Sequence, residues 1–127
     1  MTQRKRRILV VDDEADTAQT LRIMLEKYEF ATDVFTDPKI ALGAFKPNYY
    51  DVVILDIRMP AINGFELYSK MNSTDSKIKV LFLTALADLN NYSNFKDIVS
   101  PVLGKRHFVR KPVSESELLD QVYSILN

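Results

Sequence analysis

Three short, almost entirely hydrophobic runs constrain the fold of this chain more than any other feature. They are RILVVD at 7–12, DVVILD at 51–56 and KVLFLT at 79–84. Such runs do not alternate apolar with polar residues, which is typical of parallel strands that helices cover on both faces. Two weaker runs, ATDVFT at 31–36 and HFVRK at 107–111, are predicted to be edge strands.

Apolar residues spaced by three and four predict helices between these strands. The first stripes are Ala18, Leu21, Leu25 and Tyr28, then Ile40, Ala41, Ala44 and Phe45 after an Asp37-Pro38 start. The later stripes are Phe65, Leu67, Tyr68 and Met71 after Gly64, and Leu118, Leu119, Val122, Ile125 and Leu126 after a Ser114–Glu117 capping box. A further helix is expected over 88–100, although its asparagines are poor helix formers.

The alternation of strands and helices predicts a doubly wound α/β domain with a five-stranded parallel sheet and helices on both faces. The chain has 127 residues, so we expect a single domain over 1–127, with residues 1–6 as a solvated basic tail. Basic and acidic residues both number 17, which gives no reason to expect direct contact with nucleic acid or a membrane. Because the sequence has neither cysteine nor a long apolar run, a cytoplasmic location is expected.

Polar residues stand at the ends of four predicted strands, where a doubly wound sheet binds its ligands. They are Asp12 and Asp13 for the first strand, Asp56 for the third, Thr84 for the fourth and Lys111 for the fifth. If the first and third strands are neighbours, three carboxylates converge, and their repulsion raises at least one pKa unless a cation intervenes. Carboxylate oxygens favour a hard cation, so Mg²⁺ or Mn²⁺ is the metal expected there.

A carboxylate that faces a cation, an ammonium and a hydroxyl is suited to accept a phosphoryl group. Asp56 can serve as the nucleophile and form an aspartyl phosphate, while Lys111 and Thr84 stabilise the transferred oxygens. Taken singly, these residues also have ordinary structural roles, since Asp12 and Asp13 can cap the following helix and Lys111 can be a surface lysine. The strand-end spacing of the whole set favours the acceptor site.

Four motifs give the chain a resemblance to a known family. They are VVDDE at 10–14, ILDIRMPAING at 54–64, LTA at 83–85 and FVRKP at 108–112. In this order they resemble the receiver domain of two-component response regulators, and the resemblance covers nearly the whole chain. It implies a flavodoxin-like fold with the strand order 2-1-3-4-5, as in the chemotaxis response regulator.

The resemblance also implies roles for the acidic residues. It assigns Asp56 as the phospho-accepting aspartate and Asp13 as a direct Mg²⁺ ligand. Asp12 is implied as the acidic partner that acts through metal-bound water, and the backbone carbonyl of Arg58 as the remaining protein ligand. A receiver domain accepts a phosphoryl group and loses it again, so it is not expected to turn over external substrates.

The remaining motif residues are implied to contact the phosphoryl group or to respond to it. Thr84 and Lys111 match the residues that touch the phosphoryl oxygens. Phe108 matches the aromatic switch position, which moves together with Thr84, and Pro112 matches a cis-proline. The stretch between Thr84 and Phe108 is several residues longer than is usual for the family, which leaves the shape of the fourth helix open.

The partners follow from the resemblance as well. A sensor histidine kinase or a phosphotransfer protein is expected to donate the phosphoryl group, and a downstream effector protein to read the result. The output surface is expected on the fourth and fifth helices and the last strand, through which a homodimer can also form. Nucleic acid and membrane are not expected as direct partners.

Two other classes of function remain open. One is a receiver-like interaction module that works without phosphate, which need not respond to Mg²⁺. The other is a phosphohydrolase that uses Asp56 as its nucleophile. Such enzymes usually place a second aspartate two residues after the nucleophile as general acid, and here that position is Arg58.

Overall fold

The computed structural model of the protein describes residues 4–85 and 108–127, in which strands and helices alternate. The strands are β1 (Arg7–Val11), β2 (Ala31–Phe35), β3 (Val52–Asp56), β4 (Val80–Thr84) and β5 (Phe108–Arg110). The helices are α1 (Ala15–Lys27), α2 (Pro38–Ala44), α3 (Gly64–Thr74) and a C-terminal helix (Glu115–Leu126). The helix predicted over 88–100 lies outside the described residues.

The five strands form one parallel sheet in the order β2-β1-β3-β4-β5, which confirms the expected flavodoxin-like topology. In the centre, Ile54 of β3 pairs with Val10 of β1 on one side and with Leu81 of β4 on the other. The two weaker hydrophobic runs form the edge strands β2 and β5, as predicted. The switch of strand order between β1 and β3 leaves a crevice at the carboxyl edge of the sheet.

The sheet is buried on both faces, which explains why its central strands are hydrophobic throughout. Alternate residues of each strand point to opposite faces of the sheet. One face contributes side chains that pack with α2 and α3, including Leu9, Val53, Leu55, Phe82, Leu67 and Met71. The other face packs with α1 and the C-terminal helix, through Ile8, Val10, Ile54, Leu81, Leu21, Leu25, Leu118 and Val122.

Three of the four helices described above begin with a side-chain cap; α1, whose N-cap is Glu14, does not. The Asp37 side chain accepts a hydrogen bond from Lys39 N at 2.9 Å, and Ser114 accepts one from Glu117 N at 3.2 Å, so both predicted starts are observed. α3 has a full capping box between Asn63 and Glu66, which the sequence analysis did not identify. These caps satisfy N–H groups that have no partner within the helix.

Two residues of the predicted apolar stripes are exposed. Tyr28 is 40% exposed because it is the C-cap of α1, where the helical period no longer applies. Ile40 is 60% exposed because α2 is short and buries only Pro38 and Ala41. The spacing of three and four therefore located the helices correctly. It wrongly predicted burial for one residue at a helix end, Tyr28, and for one on an outer face, Ile40.

The basic segment before β1 is exposed, but one of its side chains is held against the domain. The Arg4 guanidinium makes two hydrogen bonds to the Asp51 carboxylate at 3.1 Å and 3.0 Å, and Arg7 N donates to the same carboxylate at 2.7 Å. The Arg4 side chain bridges to the loop that precedes β3.

Within the described ranges, none of the helices is both long enough and apolar enough to cross a membrane.

Candidate functional site

Three aspartates meet at the carboxyl edge of the sheet. Asp56 is the last residue of β3, and Asp12 and Asp13 directly follow β1, which pairs with β3 in the sheet. Each aspartate offers a carboxylate oxygen, and these oxygens all lie within 4.8 Å of one another. Asp12 and Asp56 are buried, whereas Asp13 is exposed. The structure therefore brings the three carboxylates together at the crevice, where the sequence placed them.

Lys111 supplies the positive charge of this cluster. Its Nζ lies 3.1 Å from Asp12 Oδ2 and 3.3 Å from Asp56 Oδ1. The residue follows β5, and its backbone N–H donates to Thr84 O at 2.8 Å, which fixes where the side chain begins. The Lys111-Pro112 peptide bond is cis. Lys111 is thus a member of the cluster, although β4 lies between β5 and β3.

Glu14 is a fourth carboxylate at this site, and the sequence analysis did not single it out. Its Oε1 lies 3.1 Å from Lys111 Nζ, and its side chain is 64% exposed. Glu14 is the last letter of the VVDDE motif, so it was visible as an acidic residue. Its contact with Lys111 depends on the position of β5, which local sequence does not give.

The pKa values of the cluster show that Lys111 does not fully compensate the negative charge of its buried aspartates. Burial raises the pKa of Asp56 to about 7; the charge of Asp12 adds to this rise, and Lys111 offsets part of it. Burial also raises the pKa of Asp12. For Lys111, burial alone would lower the pKa, but the carboxylates of Asp12 and Asp56 outweigh it, so the pKa is raised. A further cation would favour the ionised forms of the two buried carboxylates, Asp12 and Asp56.

The donor atoms fit a hard divalent cation. Asp12 Oδ1 accepts a hydrogen bond from Glu14 N at 2.9 Å. The buried Asp12 Oδ2 lies 3.1 Å from Lys111 Nζ, yet it receives no hydrogen bond of good geometry from the residues that the structure describes. Carboxylate oxygens with free lone pairs are the ligands that Mg²⁺ prefers, and the ion commonly keeps several waters besides.

A cavity of about 540 Å³ opens over the cluster. It is lined by Asp13, Glu14, Asp56, Arg58, Met59, Pro60, Ala85 and Lys111. Arg58 lies in the loop between β3 and α3. That loop closes where Gly64 N donates to Ile57 O at 2.8 Å, so tightly that a Cβ on Gly64 would stand 2.4 Å from the backbone oxygen of Asp56. No pattern in the sequence predicted this close approach.

The two predicted switch residues occupy the adjoining strands. Thr84 ends β4, is almost fully buried, and donates through its hydroxyl to Ala85 O at 2.9 Å. Phe108 begins β5, and its ring centroid lies 5.4 Å from that of Phe82. The ion pairs described above join Asp12, Glu14, Asp56 and Lys111. Thr84 and Phe108 lie beside this network, on the side from which Lys111 enters.

The doubly wound sheet and the acidic crevice with its lysine define a flavodoxin-like domain with a site suited to a cation and a phosphoryl group. The family model of the response regulator receiver domain matches residues 8–123. The chain therefore belongs to this family and is a receiver domain of two-component response regulators.

Related proteins agree with this assignment. The transcriptional regulatory protein PcoR of Escherichia coli is 32% identical over 121 residues, which cover 94% of this chain and 51% of that protein. The sensory transduction protein RegX3 of Mycobacterium tuberculosis is 30% identical over 119 residues, which cover 94% of this chain and 50% of that protein. The chain thus spans about half the length of the curated relatives it matches.

Solved structures show the same fold. The non-phosphorylated HemR receiver domain of Leptospira biflexa superposes with a TM-score of 0.81 at 29% identity, covering 97% of this chain and 95% of that chain. A response regulator receiver domain protein of Clostridium thermocellum superposes with a TM-score of 0.79 at 25% identity, covering 96% of this chain and 94% of that chain.

Proposed function

We propose that this receiver domain accepts one phosphoryl group on Asp56 in the presence of Mg²⁺. The observation that carries the proposal is the position of Asp56, which is buried at the end of β3 yet lines the cavity, 3.3 Å from the Lys111 ammonium. A carboxylate that has lost its hydration but keeps one ammonium is a nucleophile held ready for an electrophilic phosphorus. A cation held by the neighbouring aspartates would balance the rest of its charge.

The transfer needs no proton from the acceptor. An ionised Asp56 Oδ forms a bond to phosphorus, the bond from phosphorus to the donor atom breaks, and the electron pair of that bond stays with the donor. Asp12, Asp13 and Asp56, with the backbone carbonyl of Arg58, would hold Mg²⁺ (or Mn²⁺), which when bound supplies positive charge to the phosphoryl oxygens. Lys111 supplies a second positive charge beside Asp56, and both charges would favour the charge distribution of the transition state.

The donor that we propose is a sensor histidine kinase or a phosphotransfer protein, as the family membership supports. Thr84 would turn its hydroxyl from Ala85 O to a phosphoryl oxygen, and Phe108 would follow. A downstream effector protein would then bind the changed surface, formed by the last strand and the predicted fourth and fifth helices, or a second copy would bind it to make a homodimer. Because the matched relatives are named as transcriptional and sensory regulators, we propose a regulatory output.

A hydrolase acting on external substrates is the less favoured function. A general acid would be needed beside the nucleophile, and the position two residues after Asp56 holds Arg58, whose guanidinium is a poor proton donor at neutral pH. We therefore expect no turnover of p-nitrophenyl phosphate. Steady release of p-nitrophenol that Asp56→Asn abolishes would favour the hydrolase instead.

Intact-mass measurement tests the acceptor function. The whole chain is incubated with acetyl phosphate and Mg²⁺, and we expect one added phosphoryl group that is lost in mild base. Chelation of Mg²⁺ and the Asp56→Asn substitution should each prevent the addition. If the wild-type chain stays unlabelled while it still binds Mg²⁺, a phosphorylation-independent interaction module becomes the better description.

A further inference from the structure

Carboxylate oxygens crowd the Lys111 ammonium, and among them Glu14 Oε1, at 3.1 Å, accepts a hydrogen bond of good geometry from it. An ammonium has three N–H donors. Three carboxylate oxygens surround Nζ, with Asp12 Oδ2 at 3.1 Å, Glu14 Oε1 at 3.1 Å and Asp56 Oδ1 at 3.3 Å. A phosphoryl group on Asp56 would need a donor from the same ammonium. The phosphoryl oxygens therefore compete with these three carboxylates for the ammonium, and most directly with the hydrogen-bonded Glu14.

The exposure of the three carboxylates indicates which contact is released. The Asp12 side chain is 0% exposed and that of Asp56 is 4% exposed, so a lost ammonium contact leaves either carboxylate with little access to bulk water. The Glu14 side chain is 64% exposed, and its carboxylate is hydrated as soon as it turns outward. Losing a contact costs far less where water replaces it.

The backbone of Glu14 is fixed, so only its side chain is free to leave. Glu14 N donates to Asp12 Oδ1 at 2.9 Å, and the residue is the N-cap of α1. Its side chain makes no capping hydrogen bond within the part of the chain that the structure describes. Among the described residues, the Glu14 side chain contacts Lys111. The negative charge of Glu14 therefore lies at the entrance of the acceptor cavity and can be released.

We propose that Glu14 is a positioning residue, an internal counter-ion that holds the Lys111 ammonium until an incoming phosphoryl group displaces it. The proposal rests on the acceptor function of Asp56 and changes no covalent step of it. While Glu14 is in contact with Lys111, it occupies the donor that the phosphoryl oxygens require. The charge and reach of residue 14 therefore set how fast a small anionic donor is used and how tightly a phosphoryl analogue binds.

The experiment compares the wild-type chain with Glu14→Gln, at saturating Mg²⁺ so that any change in metal affinity has no effect. The rate of labelling by acetyl phosphate and the affinity for beryllofluoride are measured. In the wild-type chain, the phosphoryl group or its analogue must first break the exposed ion pair of Glu14 with Lys111, which Glu14→Gln removes. We therefore expect Glu14→Gln to raise the labelling rate and the beryllofluoride affinity by about two- to fivefold. Asp16→Asn is the matched control, since it removes an equal charge from the first turn of α1, outside the ion pairs found for Lys111 in the described residues.

Glu14→Asp separates contact from charge. It keeps the negative charge but shortens the side chain, and an aspartate at an N-cap accepts hydrogen bonds from the helix backbone instead. If the contact with Lys111 matters, Glu14→Asp behaves like Glu14→Gln; if it behaves like the wild type, general repulsion is the cause and the proposal is wrong. Equal effects of Asp16→Asn and Glu14→Gln, or no gain in Glu14→Gln, also overturn it. Absence of labelling in every chain contradicts the acceptor function itself.

Discussion

The ammonium of Lys111 reaches past the end of β4 to lie 3.3 Å from Oδ1 of Asp56. Both side chains are largely buried, and Lys111 partly compensates Asp56 for its lost hydration. A buried charge is destabilising when its partner is removed or when like charges crowd it. The three aspartates crowd one lysine here, and the apo site is therefore expected to lower the stability of the fold in a way that pH and metal both relieve.

Asp56→Asn should stabilise the metal-free protein at high pH. Folded Asp56 keeps its proton up to a pKa of about 7, whereas in the unfolded chain it ionises near its ordinary value. The folded state thus binds more protons across this interval, and stability falls as pH rises from about 4 to about 7. At pH 8 we expect the variant to be more stable by about 1–3 kcal/mol in urea titrations, with the difference vanishing near pH 4.

The surface substitution Asp16→Asn is the control for this measurement, because it also removes one carboxylate but from an exposed position. It should change the free energy of unfolding by less than about 0.5 kcal/mol. A loss of stability in Asp56→Asn at pH 8, without metal, would show that the aspartate is well compensated and that the site is not strained.

Removing one aspartate should weaken metal binding. Asp13→Asn replaces an exposed carboxylate of the cluster and should reduce Mg²⁺ affinity at least about tenfold in calorimetric titrations at pH 8. Wild-type affinity should also fall as pH drops through about 7, because the proton and the metal compete for Asp56. Unchanged affinity in Asp13→Asn would place the metal elsewhere, and Asp16→Asn serves again as the control.

The two described glycines give a matched pair of substitutions. A Cβ at Gly64 would stand 2.4 Å from the Asp56 backbone oxygen, so Gly64→Ala forces the loop after β3 away from the acceptor. We expect it to lower stability by about 1–3 kcal/mol and to slow phosphoryl acceptance. Gly43→Ala lies in α2 with nothing within 4 Å of the new Cβ, and should be neutral or stabilising by up to about 1 kcal/mol.

Thermal melts and labelling rates of both glycine variants check this prediction together. Equal behaviour of the two alanines would mean that the loop adapts without moving Asp56. Slow labelling in Gly64→Ala with unchanged stability would instead point to a local effect on the acceptor alone.

The Thr84 hydroxyl, which donates to Ala85 O, is the expected switch. To reach a phosphoryl oxygen, the hydroxyl must give up that hydrogen bond. Phe82, on the same strand as Thr84, packs against Phe108 of the neighbouring strand β5. Beryllofluoride with Mg²⁺ should therefore raise amide protection across β5 in the wild-type chain and in Thr84→Ser, which keeps the hydroxyl. Thr84→Ala should show less than half of that rise; a full response would exclude the hydroxyl as the link.

The sequence predicted the architecture well because the main signals are local. Continuous apolar runs report burial on both faces of a strand, and residues spaced by three and four report helices. The strand order 2-1-3-4-5 came from the family resemblance, and the structure agrees with it. The three aspartates could be expected to converge once their strands were taken as neighbours, because parallel strands end at the same edge.

The remaining features depend on contacts that local sequence patterns do not encode. The pair of Glu14 with Lys111, the approach of Gly64 to Asp56 and the bridge from Arg4 to Asp51 all join elements whose relative positions only the folded chain defines. The capping box of α3 is different, because Asn63 and Glu66 have the required spacing in the sequence and could have been recognised there. Exposure of Ile40 could not, since helical period does not tell how short a helix will be.

The identity of the acceptor residue tests the assignment of Asp56 most directly. Borohydride reduces an aspartyl phosphate, converting the side chain to that of homoserine, and peptide mapping then locates the modified position. After incubation with acetyl phosphate and Mg²⁺, we predict reduction at position 56 and unmodified side chains at 12 and 13. Asp13→Asn should give the same position at lower yield. Reduction at position 12 or 13, or at no aspartate of a chain that carries phosphate, would contradict the assignment of Asp56.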